Sequence, residues 1–402
     1  MRTTTHSTLF SPRRIRAALV AALLALPALT LWNLAAESVA PHWQVKIGGK
    51  LWGITERRPP LEWTLRAFAN GSWQNGAVVA ITEAFPLRPM LIKFSNTVRK
   101  NLFGAYGAPG IVAGHRGHLI EAVYVHEYCT RDLAALAAAA RTWLPKLKQL
   151  QDFYQSRGRL FLYVITPSKA AHLPELFTHL RPCPSTEVAR REWLPTYLGL
   201  LRESGINVVD AASMTHSLKG RYDIDIFPEG GVHWNRLGSA HAADAVLAEL
   251  NRLSGRPIVP RLSWTYEVAA QATGTDRDLV DLLNLFRPNV RYPTVNVHYA
   301  PTGPCEQWPG ARMAVAIVGG SFVFGLADAL VGPGCLNALE GYNYLYRGRY
   351  GGADYSLQQP HVGPDDISRL REVDILILEE NESLITDRKG HGDELHRVLL
   401  GR

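Results

Sequence analysis

The chain reads as an α/β protein, a parallel sheet with helices on both faces, preceded by one apolar N-terminal segment. Three observations predict this. From Arg131 onward, apolar runs of strand length alternate with amphipathic runs of helix length. Loops bearing Gly, Ser and His follow the strands, where open parallel sheets carry their sites. Residues 17–36 are uncharged and follow a group of arginines. The chain has 402 residues, with 47% apolar and 20% charged side chains, which describes a packable core and excludes a disordered protein.

Arg2, Arg13, Arg14 and Arg16 precede an apolar run from Ala17 that stays uncharged until Glu37. A cationic flank before an apolar run is the pattern of a secretory signal or an uncleaved signal anchor. Ser38-Val39-Ala40 resembles a small-residue cleavage site, but Pro41 opposes cleavage, and Trp32 suits the outer interface of a span. An anchor over residues 15–36 in the inner membrane is the favoured expectation, a cleaved peptide the second. Both send the rest of the chain out of the cytoplasm, and the periplasm is the expected location. The net charge of +7 lies partly before residue 17, and no basic stripe with interleaved aromatics supports nucleic-acid binding.

Residues 1–40 are therefore expected as signal or anchor, 41–130 as a mixed segment with a hairpin, and 131–390 as the α/β domain. In the mixed segment, Leu61 to Phe68 looks helical, a second helix begins near Phe85, and Ile111 to Ile120 reads as a hairpin around a glycine-flanked turn. His115, His118 and His126 straddle that turn without a completing ligand set, and read as surface histidines rather than a metal site. Beyond Arg131, Leu133–Tyr154 and Val188–Ser204 are helices, while 159–166 and 206–210 are strands. Residues 255–312 look irregular. A buried strand from Ala314 then leads to Gly319-Gly320-Ser321, a helix runs from Phe322 to Leu330, and Val373 to Glu379 is the last strand. Lys169, Ser321, Glu379 and Asn381 all fall at carboxyl ends of strands.

The four cysteines lack the C-x-x-C spacing of zinc or thioredoxin chemistry. Cys305 precedes the strand to Ser321 and Cys335 follows the next helix, which puts both at one end of a βα unit. Cys129 and Cys183 are related in the same way. Pairs 129–183 and 305–335 are expected, with buried free thiols as the alternative.

The candidate chemistry rests on two distant stretches. Pro228 to His241 is a glycine-rich loop carrying His233, followed by Asn235 as a helix cap and an apolar-periodic helix. Ser321 lies past a strand and at a helix start, so its own N–H and that of Phe322 can face a developing oxyanion. His233 in reach of Ser321 would make it a nucleophile. Asn343 is a further oxyanion candidate. Arg347 and Arg349, among Tyr342, Tyr344, Tyr346 and Tyr350, suit stacking on and pairing with an acidic sugar. Lys169 could meet a polymer carboxylate, and Trp234 is a sugar platform or core packing. No Gly-Lys-Ser/Thr loop or Rossmann fingerprint is present, and no metal or cofactor is expected.

The Val232-His-Trp-Asn235 block with the serine block C-terminal to it, the hairpin Val112 to Ile120, Thr166-Pro-Ser-Lys169, Asp281-Leu-Leu-Asn-Leu285 and Asp374 to Glu379 together resemble the alginate O-acetyltransferase AlgJ/AlgX family. Together, in this order, they cover most of residues 85–385. The resemblance implies an SGNH-hydrolase-like, circularly permuted α/β domain. It also implies transfer of acetyl groups to an alginate-like exopolysaccharide, with a membrane-bound O-acyltransferase as acetyl supplier. An acetyl-esterase using the same residues and a catalytically weak polysaccharide-binding scaffold are the alternatives. In the family an aspartate stands two residues before the histidine; here that position is Gly231. Glu229, Asp225 or Asp223 from the same loop, or a carboxylate from elsewhere, would have to orient His233.

Overall fold

The computed structural model describes residues 12–53, 63–300, 303–352, 354–386 and 391–401. The expected flank at Arg2 and the expected helix start at Leu61 and Glu62 lie outside the described residues. The chain divides into two compact units, Met1–Pro109 with Asp281–Pro288, and Gly110–Val280 with Asn289–Arg402.

The first unit is helical. α1 spans Pro12–Val39, α2 Leu65–Ala69, α3 Ser72–Ala84 and α4 Arg88–Phe103. α1 is long and apolar enough to cross a membrane. Thr64 caps α2 by accepting from Ala67 N–H, and Gly104, in the left-handed conformation, ends α4. Residues 281–288 are tied into this unit by polar side chains. Asn284 accepts from Trp52 N–H at 2.9 Å and donates to Trp52 C=O at 3.0 Å, while Asn96 donates to Leu283 C=O at 2.9 Å.

The second unit opens with an antiparallel hairpin, β1 Ile111–Ala113 and β2 Leu119–Glu121, followed by α5 Ala122–Cys129. Next come α6 Leu133–Gln155, β3 Leu160–Thr166, α7 Lys169–His172, α8 Glu187–Glu203, β4 Val208–Asp210, α9 Ala211–Ser217 and α10 Arg236–Leu253. β5 Trp264–Ala269 and β6 Thr294–Tyr299 pair antiparallel, with α11 Asp278–Leu282 between them. The chain continues through β7 Val315–Gly319, α12 Val323–Leu330, β8 Leu339–Asn343, β9 Gly348–Gly351, β10 Ser356–Pro360, α13 Pro364–Ser368, β11 Ile375–Asn381 and α14 His391–Leu400. The main sheet has the order β10-β9-β8-β7-β11-β3-β4. The five strands from β8 to β4 run parallel; β9 and β10 add an antiparallel edge.

Period-two alternation divides the central strands between two cores. Ile375, Ile377, Val315, Ile317, Leu162 and Val164 enter the core beneath α10 and α12. Leu376, Leu378, Ala316, Val318, Phe161 and Tyr163 enter the other, beneath α6, α8 and α14. Both faces are covered, so these strands read as unbroken apolar runs. Both expected disulfides are formed, Cys129–Cys183 and Cys305–Cys335. The apolar N-terminal helix and these bridges are features of an extracytoplasmic chain.

Two expectations about local structure are corrected. Residues 255–312, expected to be irregular, contain the antiparallel pair β5–β6, and the polar–aromatic segment after the serine helix, for which no strand was expected, forms β8 and β9. Both escaped notice because their strands are short, and glycines and exposed polar residues break the apolar signal.

Candidate active site

The carboxyl ends of β3, β7 and β11 are adjacent in the sheet, and the side chains expected there converge on them. Ser321 follows β7 after Gly319 and Gly320, and α12 begins two residues later. The turn is braced from β11. Fully buried Glu379 accepts from Gly320 N–H at 2.8 Å through one oxygen and from the Thr166 hydroxyl through the other. Asn381 in turn donates to Thr166 Oγ1 at 3.3 Å and to Pro167 C=O at 2.7 Å. Burial raises the Glu379 pKa to about 7, against the Thr166 and Gly320 hydrogen bonds that lower it. A side chain at Gly319 would collide with Glu379 and Val323, so the backbone turn and its carboxylate brace require glycine there.

His233 arrives on the loop before α10. Asn235 caps that helix, its side chain accepting from Leu237 and Gly238 N–H at 3.1 Å each. The imidazole Nε2 lies 2.7 Å from Ser321 Oγ, and Nδ1 lies 2.5 Å from Asp278 Oδ2. A carboxylate only accepts, so the ring proton belongs on Nδ1 and Nε2 is left to accept from the serine hydroxyl. The other oxygen of Asp278 accepts from Val232 N–H at 2.9 Å and Leu279 N–H at 2.7 Å. Both carboxylate oxygens are thus engaged and the acid has one orientation.

The carboxylate beside His233 is therefore not one of those expected from its own loop. Asp225 faces Arg116 at 3.3 Å and His118 at 3.7 Å. Glu229 lies against Gly117, and its pKa is raised by burial. The physical reason is visible at Gly231. A Cβ there would lie 2.6 Å from Thr275 C=O and 3.0 Å from Asp276 C=O, so the 275–278 segment occupies the space where a loop aspartate would sit. The same close approach brings Asp278 to Nδ1. Sequence reasoning missed this residue; the signal available was the run Gly274-Thr-Asp-Arg-Asp278, a glycine turn followed by two acids at the start of a helix.

Lys169 also departs from expectation. It is 1% exposed, and its ammonium donates to the carbonyls of Leu119 at 2.8 Å, Pro228 at 2.7 Å, Glu229 at 3.3 Å and Gly231 at 2.7 Å. It joins β2 to the His233 loop and does not face solvent. Burial pulls its pKa down to about 7, opposed by Asp278, Glu229 and Asp225. Trp234 is buried in the core against Phe322, which removes it as a sugar platform. Arg349 is paired with Glu340 at 3.0 Å, and Tyr342 is buried. Arg347 remains exposed, its guanidinium 5.0 Å from the Tyr344 ring centre. Of the three histidines His115, His118 and His126, His118 is buried rather than on the surface, and burial beside Lys169 and Arg116 lowers its pKa to about 3.

Asn343 pairs in register with Gly319, and its side-chain Nδ2 is buried without an acceptor. The next two residues, Tyr344 and Leu345, both hold left-handed backbone (φ +43° and +52°), a conformation costing about 1–3 kcal/mol per residue that concentrates at functional sites. Tyr344 N–H donates to Gly319 C=O at 2.8 Å, and its ring occupies the space beside Gly320. Phe322, the other oxyanion candidate, is the N-cap of α12, where the first N–H groups lack intrahelical partners. A cavity of about 380 Å³ is lined by Trp234, Arg236, Asp276 and Asp328. Neither Ser321, His233 nor Asp278 lines it.

No protein-family model matches the chain, and no curated protein matches it in sequence. Among solved structures, the O-acetyltransferase domain of Pseudomonas putida AlgJ is similar at a TM-score of 0.45 and 16% identity, over 73% of this chain and 100% of that one. Pseudomonas aeruginosa AlgX is similar at 0.47 and 14%, over 72% and 66%. Bacillus cereus PatB1 with a sulfonyl adduct is similar at 0.37 and 11%, over 64% and 92%. The likeness is remote, and the α/β assignment stands on the strand order described above.

Proposed function

We propose that this protein is an extracytoplasmic O-acetyltransferase, anchored in the inner membrane by α1, that transfers acetyl groups to an alginate-like exopolysaccharide. The single observation that carries the reading is the unbroken hydrogen-bond chain Ser321–His233–Asp278. In the first half-reaction, Ser321 Oγ attacks the acetyl carbonyl as its proton passes to His233 Nε2. Asp278 holds the ring and stabilises the imidazolium that forms. The proton then leaves with the donor's departing group, and Ser321 carries the acetyl. In the second half, a sugar hydroxyl attacks that ester, giving its proton to Nε2, and Ser321 is regenerated.

The oxyanion formed in each half is assigned to the Phe322 N–H and to Asn343 Nδ2, whose lack of a protein acceptor supports that role. Lys169 keeps the His233 loop in register from beneath. A membrane-bound O-acyltransferase is the proposed source of acetyl groups. A non-catalytic scaffold is the reading that the missing aspartate at Gly231 would favour; the carboxylate of Asp278 beside His233 Nδ1 supports the catalytic one.

The test is p-nitrophenyl acetate turnover, with mass spectrometry of the Ser321 peptide after brief exposure to the ester. The expected result is an acetylated Ser321 peptide and a Ser321→Ala variant slowed on the order of 10⁴-fold or more. Equal rates for both proteins and no acetylated serine would overturn the reading. Adding an oligosaccharide acceptor separates transfer from hydrolysis, because acetylated sugar accumulates only in the former.

A further inference from the structure

The helices after α1 are built inside out. α4 carries Leu91, Phe94, Val98 and Leu102 on one stripe, at the spacing that normally faces a core. Among its residues only Pro89 is buried, and Leu102 is 72% exposed. α2 exposes Leu65 and Phe68, and α3 exposes Val78 and Ile81. Scattered exposed apolar side chains are ordinary, but stripes on three successive helices are a surface made to be covered.

Three observations in the same unit identify what covers it. First, α1 is the candidate membrane span, and its Asn33 fixes α3 to it. The Asn33 side chain, wholly buried, donates to Ala84 C=O at the end of α3 at 2.7 Å and to Val45 C=O at 2.9 Å, and accepts from Val45 N–H at 2.7 Å. Second, Trp32 of α1 stacks on Trp43 with ring centres 6.3 Å apart, and its indole donates to Trp43 C=O at 3.1 Å. Exposed, paired indoles at one end of a span suit the bilayer interface. Third, the described residues from 40 to 109 contain Lys46, Lys50, Arg66, Arg88, Lys93, Arg99 and Lys100 against Glu83 alone. Apolar stripes in a segment with this cationic excess suit anionic headgroups over acyl chains.

We propose that α2, α3 and α4 lie on the bilayer that α1 crosses, with the Leu91–Leu102 stripe sunk into the boundary between headgroups and acyl chains. This rests on the anchoring role given to α1 above. A protein partner with an apolar face is the competing occupant. The cations and the indoles at the end of α1 favour lipid.

The test uses the full chain in vesicles of phosphatidylcholine and phosphatidylglycerol. All four cysteines are in disulfides, so one introduced cysteine takes a nitroxide label uniquely. Labels at Leu23→Cys in α1, Phe94→Cys and Leu102→Cys in α4, and Val188→Cys at an exposed position of α8 are compared for collision with oxygen and with a water-soluble nickel chelate. Circular dichroism checks the fold of each. The expected result is loss of nickel access at Leu23, Phe94 and Leu102 relative to Val188, with the α4 labels about 5–10 Å below the phosphates. If Leu23 is protected while Phe94 and Leu102 meet nickel as freely as Val188, the anchor stands and this proposal falls. Access at Leu23 as well would overturn both.

Discussion

The two units of this chain treat the same residue types in opposite ways. Of the ten tryptophans, Trp32, Trp43, Trp52 and Trp63 in the first unit are exposed, whereas Trp143, Trp193 and Trp234 in the second are buried. Among the described residues, the second unit exposes only Val123, Val188, Tyr266, Val268 and Leu357 as large apolar side chains. Every other such exposure belongs to the first unit. Helices with similar patterning thus have different solvents. In the second unit the sheet supplies the apolar medium; in the first, we propose, the bilayer does. The contrast teaches that amphipathic spacing predicts a buried face but not what buries it.

The largest effect that would sharpen the contrast concerns the second unit alone. Asp278→Asn should leave membrane association intact while lowering ester turnover by about 10⁴-fold, because the amide favours the wrong imidazole tautomer. A loss smaller than tenfold would mean that another group orients His233. Next comes Lys169→Met, which removes the ammonium shared by the carbonyls of Leu119, Pro228, Glu229 and Gly231. It should cost about 3–5 kcal/mol in urea unfolding and lower kcat more than KM, since the loop it holds carries His233. If unfolding and kcat both match wild type, the lysine is not the brace described here.

The acid limb of stability supplies a third, smaller test. Burial alone would raise the Glu382 pKa, but the His216 imidazole at 2.8 Å, Arg131 at 3.3 Å and Ser168 N–H at 2.7 Å hold it at about 2. A carboxyl whose folded pKa is depressed adds stability that is present above its ordinary value, near 4.5, and lost as pH falls toward 2. That contribution is about 3 kcal/mol. Glu382→Gln should therefore flatten the dependence of unfolding free energy on pH between those limits; an unchanged slope would assign the acid sensitivity elsewhere.

The smallest expected effect is also the one that breaks the contrast most directly. Leu378→Ala in β11 should cost about 2–5 kcal/mol, whereas Leu102→Ala in α4 should change stability in detergent-free buffer by less than about 0.5 kcal/mol. Equal costs would show that α4 is packed against protein after all.

Much of the second unit was legible because parallel strands buried on both faces leave long apolar runs. β3, β7, β11, α6 and α8 were all readable within two residues or so of their ends. Ser321 and His233 could be singled out for a similar reason. Each sits in a local context, strand–glycine–serine–helix or loop–cap–helix, that is written within about ten residues. Asp278 was not singled out: the Gly274–Asp278 run marks an acidic helix start, but nothing in it records that the segment presses against Gly231. Lys169 was misread for the same kind of reason. A lysine after a strand is ordinarily solvated, and only the meeting of β2 with the 228–231 loop supplies the carbonyls that let it be buried.

The sequence by itself determined the inner strands β3, β7 and β11 with the helices α6 and α8, favoured the cysteine pairs that form, and showed the apolar character of α1, because each depends on neighbours along the chain or on a fixed order of elements. Only the tertiary structure decided which carboxylate stands behind His233, which cation is buried, and which apolar faces remain uncovered. Those outcomes depend on distances between segments far apart in sequence, and no periodicity or local motif records them.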